Sequence, residues 1–287
     1  MSELVISAPI SFEPDRHMRK TRSGKIKTAA ISKANIALRL TVVVLLILTV
    51  YGFLSFNYKN INLAEAVAGT FRNAGVMFGS PKLTHITFFG AMRGLLTVFS
   101  LGVLSTLAGA IIAFFGALLC ARNIANPVAG NVIKSIVAFV RAVPTILWVL
   151  IFTVSAGLGS VAAVAGLTFH SAGYLIKAYA ESIEEMDSGV IEALKASGAG
   201  YWQIVFQAIV PASISYMTAW TFLRFEINFA NAVMVGAWAG AGGIGFDLFM
   251  AGSFYHNIRE LGFITYIIVA AVIILEIIAT KIKAKVQ

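Results

Sequence analysis

Long stretches without a charged side chain constrain the fold of this chain more than any other feature. Residues 40–58, 94–121 and 142–176 contain no Asp, Glu, Lys or Arg. A helix that crosses the hydrocarbon core of a bilayer needs about 20 mainly apolar residues, and each stretch can supply them. Only 12% of the chain is charged, against about 25% in soluble domains. This pattern excludes most soluble enzymes, nucleic-acid readers and disordered proteins.

The uncharged stretches predict an all-α, polytopic membrane protein with about six transmembrane helices. The stretch 142–176 is too long for one span, and the small residues of 155–160 predict a tight turn within it. Residues 227–246 are also uncharged, but their glycines weaken a continuous helix. We expect a broken or re-entrant element there rather than a seventh span. We place the spans near residues 40–58, 94–119, 129–154, 159–180, 204–223 and 262–281.

The placement of positive charge predicts the orientation. The chain has a formal net charge of +9, and eight of its 22 Lys and Arg residues lie within the first 39. Lys281, Lys283 and Lys285 lie near the other end. Because Lys and Arg accumulate on the cytoplasmic side of membrane proteins, we expect both termini in the cytoplasm and membrane lipid, not nucleic acid, beside the basic tail.

These features divide the chain into regions. The basic segment before the first span is long, and the apolar run exceeds that of a signal peptide, so we expect a retained anchor. The predicted regions are a cytoplasmic basic tail (1–39), a first transmembrane helix with an extracytoplasmic linker (40–90) and a transmembrane domain (91–287) with a coupling loop at 181–203.

The segment after the fourth predicted span is unusually acidic. Five of the 13 acidic residues fall within 181–192, and Val190, Ile191 and Leu194 recur at helical spacing. This predicts a short amphipathic helix within 187–200. Gly198 and Gly200 can form its exit turn, and Pro211 suits the first turn of the following helix. A plain solvated loop is the alternative.

The residues of this segment carry a family resemblance. Glu192-Ala193-Leu194, Gly198 and Pro211 resemble the EAA loop of ABC importer permeases, whose pattern is E-A-A-x3-G-x9-I-x-L-P; Leu194, Ala208 and Val210 depart from it but remain apolar. Segments at 141–152, 170–173, 179–184, 225–228 and 240–245 look like phosphonate importer permeases of the PhnE type.

The resemblance implies a MetI-like permease fold in the bacterial inner membrane. It also implies a second copy of the chain, two cytoplasmic ABC ATPase subunits and an extracytoplasmic substrate-binding protein as partners. ATP and Mg would be bound by the ATPase, with no cofactor in this chain. The residues expected to couple to the ATPase are Glu192, Ala193, Leu194, Gly198 and Pro211.

Polar residues inside or beside the predicted spans are candidates for the substrate pathway, because ionisable groups are costly at membrane depth. Arginine suits an anionic substrate, since its planar guanidinium forms paired hydrogen bonds with phosphate-like oxygens. An Arg–Glu pair or snorkelling to the interface is the alternative. The candidates are Arg141, Arg224, Glu226, Asn228 and Asn231.

The glycine cluster at 240–245 needs a separate interpretation. Gly240, Gly242, Gly243 and Gly245 fit the dinucleotide fingerprint G-x-G-x-x-G, with Glu260 about 20 residues beyond. That fingerprint requires a preceding strand in a soluble βαβ unit, so we interpret the glycines as a gate at the outer end of the pathway, with plain helix packing as the alternative.

Other chemistry is not indicated by the sequence. No P-loop motif occurs, since the only Gly-Lys pair, Gly24-Lys25, is followed by Ile26. The four histidines lack metal-ligand spacing, no catalytic triad can be assigned, and Cys120 lies in an apolar run where a packing role is expected. We therefore expect neither a metal site nor catalytic residues, and no enzymatic activity in this chain.

The sequence thus predicts the permease of an ATP-driven importer for phosphonate or a related phosphorus oxyanion. A permease for another small solute, such as methionine, is the alternative within the same class. An ion-gradient-driven carrier is the alternative from a different class, although such carriers usually contain internal repeats, and none is visible here. A membrane-bound enzyme is a third alternative.

Overall fold

The computed structural model describes residues 33–55 and 62–286. Residues 1–32 of the predicted basic tail therefore lie outside the described residues. The described helices are α1 (Lys33–Ser55), α2 (Leu63–Gly79), α3 (Phe88–Leu118), α4 (Pro127–Ala142), α5 (Thr145–Ala156), α6 (Ser160–Glu184), α7 (Ser188–Ala196), α8 (Tyr201–Ile204), a π-helical turn (Val205–Ile209), α9 (Val210–Trp238), α10 (Ile244–Phe249), a second π-helical turn (Met250–Phe254) and α11 (Ile258–Val286).

The prediction of an all-helical chain with about six spans is confirmed. Among the described helices, five are long and apolar enough to cross a bilayer, and α4 with α5 can form a sixth crossing as a bent pair. The described residues form two compact units that divide near residue 63, one with α1 and the other with the remaining helices. Large apolar side chains along α1 and α11 are exposed in the described structure, as expected of surfaces that contact lipid.

The span predicted at 129–154 is wrong in one respect: two helices, α4 and α5, replace the single helix, although as a bent pair they can still form one crossing. α4 ends at Ala142 and α5 begins at Thr145, and the two helices are bent by 93° at the break. Pro144 explains the break, because the residue before a proline disfavours helical conformation, and Val143 is extended. The turn predicted at 155–160 is confirmed between α5 and α6, where Gly157 and Gly159 adopt positive φ angles.

The boundary predicted between a span at 204–223 and a separate element at 227–246 is also wrong. Residues Tyr201–Trp238 form one long helical segment that includes α8, the first π-helical turn and α9. Pro211 lies in the first turn of α9, as predicted, directly after that π-helical turn. The amide of Val210 bonds to the carbonyl of Val205, five residues earlier, and this wider turn gives room to the proline ring.

The chain breaks instead at the glycine cluster after α9. Gly240, Gly242 and Gly243 have positive φ angles, which glycine adopts without strain. A Cβ on Gly245 would collide with the carbonyl of Val233. The cluster therefore turns the chain and lets α10 pack closely against α9, which is the packing role considered above. A gating role for the same glycines remains a prediction.

The linker predicted before the second span contains a helix that the sequence analysis missed, α2. The segment after α2 is fastened to the start of α11 by Glu260, which is buried. Its carboxylate accepts hydrogen bonds from the amides of Thr84 (3.0 Å), His85 (2.7 Å) and Ile86 (3.1 Å). Glu260 therefore has a structural role at this end of the bundle.

Helix α6 is the centre of the bundle and packs against α3, α4, α5 and α9. Small residues allow these close contacts. A Cβ on Gly166 would lie 2.5 Å from the Cα of Val149 in α5, and one on Gly173 would lie 2.8 Å from Cγ1 of Val140 in α4. The two glycines thus hold both halves of the bent α4–α5 pair against one helix.

This packing gives a testable expectation for Gly166. Gly166→Ala should lower the melting temperature, because overpacking against a backbone costs about 1–3 kcal/mol. Gly69→Ala is a matched control, since Gly69 is also inside a helix but has open space where the Cβ would be. It should leave the melting temperature unchanged or raise it. Equal melting temperatures for the two variants, measured by thermal unfolding in detergent, would contradict the close packing.

Candidate coupling helix and translocation pathway

The predicted amphipathic helix is α7, and both of its ends are defined by local hydrogen bonds. The carboxylate of Asp187 caps the first turn by accepting the amide of Gly189 at 2.9 Å. At the other end, Gly198 has a φ of +83°. The amide of Gly198 donates to the carbonyl of Lys195, and the amide of Ala199 donates to that of Leu194. This is a Schellman motif, which requires the left-handed conformation that glycine provides.

One face of α7 packs on the bundle and the other is open. Ile191 is only 2% exposed, and Leu194 is partly buried against the same core. Glu192 and Ala193 are exposed, and Val190 is 47% exposed. An open groove of about 970 Å³ lies between α7 and the start of α9, lined in part by Ala193, Leu194 and Pro211. Four of the five predicted coupling residues thus line this groove or lie on the open face, whereas Gly198 shapes the end of the helix.

The end of α6 that leads into α7 is tied to its neighbours by Glu184. Its carboxylate accepts hydrogen bonds from Nε of Arg122 at 2.9 Å and from Nζ of Lys134 at 2.9 Å. Asn123 adds a bond from its side-chain amide to the carbonyl of Ile183 at 2.7 Å. A displacement of α7 would therefore be passed to α6, to the middle of α4 and to the segment that precedes α4.

A matched pair of glycines tests how the exit of α7 is built. Gly198→Val should lower the melting temperature and weaken coupled transport, because a left-handed φ costs a non-glycine residue about 1–2 kcal/mol. Gly200→Val should change neither, since Gly200 has an extended backbone that valine accepts. Thermal unfolding and uptake assays on the two variants provide the comparison. Equal behaviour of both would contradict the Schellman exit.

Two of the predicted pathway arginines converge on one side chain of α6. The guanidinium of Arg141 lies 4.8 Å from the ring centroid of Tyr174, and that of Arg224 lies 5.2 Å from it. Within the described residues, Nε of Arg141 and Nη2 of Arg224 have no hydrogen-bond partner although both atoms are buried. A buried donor without a partner costs about 1–3 kcal/mol. An anion between these two cations would satisfy both donors and reduce their mutual repulsion.

Hydrogen bonds between buried polar side chains connect Arg224 of α9 with α3 and α6. Arg224 is 3% exposed, and its Nε donates to Oγ of Ser171 at 3.0 Å. The side-chain amide of Asn228 donates to Ser171 at 2.8 Å and to Thr106 at 2.8 Å. These bonds link α3, α6 and α9 and fix the position of Arg224. Asn228 therefore lies in the same cluster as the arginines.

The other residues predicted for the pathway and the gate lie at the edge of the cluster around Arg141 and Arg224 or outside it. Glu226 and Asn231 are half-buried on α9, and the four gate glycines lie beyond the end of that helix. Sequence reasoning missed Tyr174 and Ser171, and it considered His170 only as a metal ligand. All three lie within one and a half turns of α6, so a run of polar residues inside an otherwise apolar span was the available signal.

The described residues contain no group of three His, Cys, Asp or Glu side chains that could hold a metal ion. Cys120 follows α3 and is buried in the core, as predicted for a packing residue. Burial raises the pKa of the Cys120 thiol. The thiol therefore stays protonated and unreactive.

Comparison with known proteins decides the family. The model of the family described as binding-protein-dependent transport system inner membrane component matches residues 113–284, more than half of the chain. The chain belongs to this family. It is therefore a multi-pass membrane component of a binding-protein-dependent transport system, as the sequence predicted.

Two of its relatives are permeases of phosphate-import and phosphite transport systems. The permease is 34% identical over 165 residues to the phosphate-import permease protein PhnE of Mycolicibacterium smegmatis, a match that covers 57% of this chain and 30% of the relative. It is 30% identical over 186 residues to the phosphite transport system permease protein PtxC of Stutzerimonas stutzeri, covering 64% of this chain and 67% of the relative. The matched region thus spans less than a third of the mycobacterial protein.

A solved structure agrees with the predicted MetI-like fold. The permease is similar to a chain of the MetNI methionine ABC transporter in an inward-facing conformation, with a TM-score of 0.64 and 21% identity. The similarity covers 71% of this chain and all of the other, 100%. At this identity the likeness shows the fold alone.

Proposed function

We propose that the permease carries a phosphorus oxyanion, such as a phosphonate, phosphate or phosphite, across the bacterial inner membrane. It would work as a homodimer with two cytoplasmic ABC ATPase subunits, which bind ATP and Mg, and with an extracytoplasmic substrate-binding protein. Both termini and α7 would face the cytoplasm. The observation that carries the substrate class is the convergence of Arg141 and Arg224 on Tyr174, with an unpartnered donor on each arginine.

The chemistry of this cluster suits a small oxyanion. Guanidinium groups bind phosphate-like oxygens through paired hydrogen bonds and keep their charge at any physiological pH. In a low-dielectric interior such contacts are stronger than in water. Arg224 is held in place by Ser171, so its remaining donors are oriented before an anion arrives. The names of the phosphate-import and phosphite relatives support the same class of substrate.

Coupling to ATP would pass through α7. Its open face carries Glu192, Ala193 and Val190, while Ile191 and Leu194 anchor it to the bundle. An ATPase that grips the open face can move α7, and the bonds of Glu184 pass that movement to α4 and α6. Arg141 lies on α4 and Tyr174 lies on α6, so the contact between these two side chains joins the same two helices. Docking would thus control the geometry around the anion.

A permease for another solute, such as methionine, is the alternative, because the methionine transporter has the same fold. An ion-gradient-driven carrier is not supported, since the family is a component of binding-protein-dependent transport. The two substrate classes differ in the charged groups that they would bring to the Arg141–Arg224 cluster. A phosphorus oxyanion offers several charged oxygens to both arginines, whereas a zwitterionic amino acid also brings a cation close to them.

Uptake into proteoliposomes that contain the permease, its ATPase and its binding protein tests the proposal. Radiolabelled phosphate or methylphosphonate should accumulate only when ATP is supplied to the ATPase side. Unlabelled phosphonate, phosphate or phosphite should compete, and methionine should not. Competition by methionine alone, or uptake driven by an ion gradient without ATP, would overturn the proposal.

A further inference from the structure

A second group of cations lines a cavity between α4 and α6, at the end of the bundle that carries α7. The cavity has a volume of about 370 Å³. Its charged lining is Arg122, Lys134, Arg141, Lys177, Glu181 and Glu184. Four basic and two acidic side chains leave an excess of two formal positive charges. This excess lies at the end of a mainly apolar bundle, where the side chains of Arg122, Lys177 and Glu181 are half or more exposed and Arg141 is partly buried.

Helical spacing explains why these side chains share one cavity. Lys134 and Arg141 are seven residues apart on α4, and Lys177 and Glu184 are seven residues apart on α6. Seven residues are about two helical turns, so each pair projects from one face. The cavity is therefore bounded on both sides by stripes of charged residues that run along the helices towards α7.

The acids in the lining leave part of the positive charge uncompensated. Glu184 is bound by both Arg122 and Lys134 at 2.9 Å. Glu181 lies 3.3 Å from Lys177 within the same helix, and both side chains are about half exposed, a geometry that contributes little attraction. Nε of Arg141 is buried without a partner in the described structure. The cavity thus offers two cations, Arg141 and Lys177, that an incoming anion can contact.

We propose that this cavity binds a phosphorus oxyanion, as an inner stage between the Arg141–Arg224 cluster and the cytoplasm. The choice of ligand rests on the proposed function, whereas the cavity and its charge do not. Arg141 belongs to both places, since it lies over Tyr174 and also lines the cavity. From Tyr174 to Glu184 is about 15 Å along α6, at about 1.5 Å per residue. An anion released by Arg224 could therefore remain bound to Arg141 while it reaches Lys177.

The same phosphate-like oxygens could come from two sources. One is the transported anion, and the other is the headgroup of an anionic lipid, because basic pockets between transmembrane helices on the cytoplasmic side bind such headgroups. The lipid composition of the membrane separates these sources. In either case the chemistry recognised is a phosphorus-bound anionic oxygen, held by Arg141 and Lys177.

The test measures binding of inorganic phosphate to the complete transporter in nanodiscs of zwitterionic lipid. An Arg224→Gln background removes the core stage, so that the remaining binding reports on the cavity. Lys177→Gln should weaken this binding by about fivefold, and Glu181→Gln should tighten it by about threefold, as expected for partly exposed charges. Lys281→Gln, which removes one cation at the same end of the bundle but outside the cavity, should change the dissociation constant by less than about twofold.

The opposite signs make the test decisive. Opposite shifts for Lys177→Gln and Glu181→Gln support the site, whereas equal binding in both, or weaker binding in both, overturns it. Uptake by the wild-type transporter is measured in parallel. If uptake occurs but neither Lys177→Gln nor Glu181→Gln changes phosphate binding, the inner stage is excluded and the proposed function is not affected. In nanodiscs with added phosphatidylglycerol, weaker phosphate binding that depends on Lys177 supports a lipid headgroup as ligand, and unchanged binding supports the transported anion.

Discussion

Arg224→Met is expected to reduce ATP-driven uptake of phosphate at least about a hundredfold while the melting temperature stays constant or rises. The loss follows because hydrogen bonds to a charged partner contribute about 1.5–3 kcal/mol each, and a guanidinium makes them in pairs. Stability should not fall, because replacing a buried charge by an apolar side chain of similar size is often neutral or stabilising. Ser171 keeps its bond to Leu167, and Asn228 keeps its bond to Thr106.

Two further variants make this expectation specific. Arg224→Lys keeps the charge but loses the paired geometry, so uptake should be intermediate. Arg93→Met, at an exposed arginine of α3, should leave uptake within about twofold of the wild type, because a solvated charge contributes little. Proteoliposome uptake and thermal unfolding are measured on the same preparations. A large drop in melting temperature for Arg224→Met, or uptake at the wild-type level, would contradict the role assigned to Arg224.

Glu192→Lys is expected to uncouple the transporter. If the carboxylate of Glu192 meets a cation of the ATPase, a lysine at this position places two positive charges next to each other. Such a juxtaposition costs several kcal/mol of binding free energy. Uptake should fall at least about tenfold, and the ATPase should no longer respond to the loaded binding protein. Glu192→Gln, which removes the charge without reversing it, should have a smaller effect.

The fold of the permease should be untouched by either substitution at residue 192. Glu192 is exposed, and α7 is anchored by Ile191 and Leu194 on its other side. The melting temperature and the membrane insertion of the variants are the controls. Wild-type uptake in Glu192→Lys would remove α7 from the path of energy transfer.

The positions of the transmembrane helices could be predicted from sequence where a charged residue marks the end of an apolar stretch. The predicted span 94–119 overlaps α3 to within one residue of its end, and Arg93 and Arg122 bracket the uncharged run that revealed it. The short α7 was predicted from the helical spacing of Val190, Ile191 and Leu194 and from the exit glycine Gly198. Local sequence patterns were sufficient in both cases.

Prediction failed where tertiary contacts override the local signal. The end of the fifth span was placed at Arg224 because an isolated charge is costly in a bilayer. The helix continues through Arg224, because its guanidinium donates to Ser171 and lies over the ring of Tyr174, both in α6. Pro144 indicated a kink in the predicted span but not a bend as sharp as 93°, because a proline can either kink a helix or end it. Tyr174 could not be assigned from sequence, because its partners come from two other helices.

The most direct test of the account places one cysteine on α7. Cys120 is 3% exposed and its pKa is raised by burial, so the wild-type chain serves as an unreactive control and Glu192→Cys supplies the one accessible thiol expected in the described bundle. In membranes that contain the assembled transporter, a short cross-linker with a maleimide at one end and a photoreactive group at the other should join Glu192→Cys to the ATPase subunit. A membrane-impermeant maleimide should not label it in intact cells. Labelling from outside intact cells, with no adduct to the ATPase, would contradict the claim that α7 receives the energy of ATP hydrolysis on the cytoplasmic side.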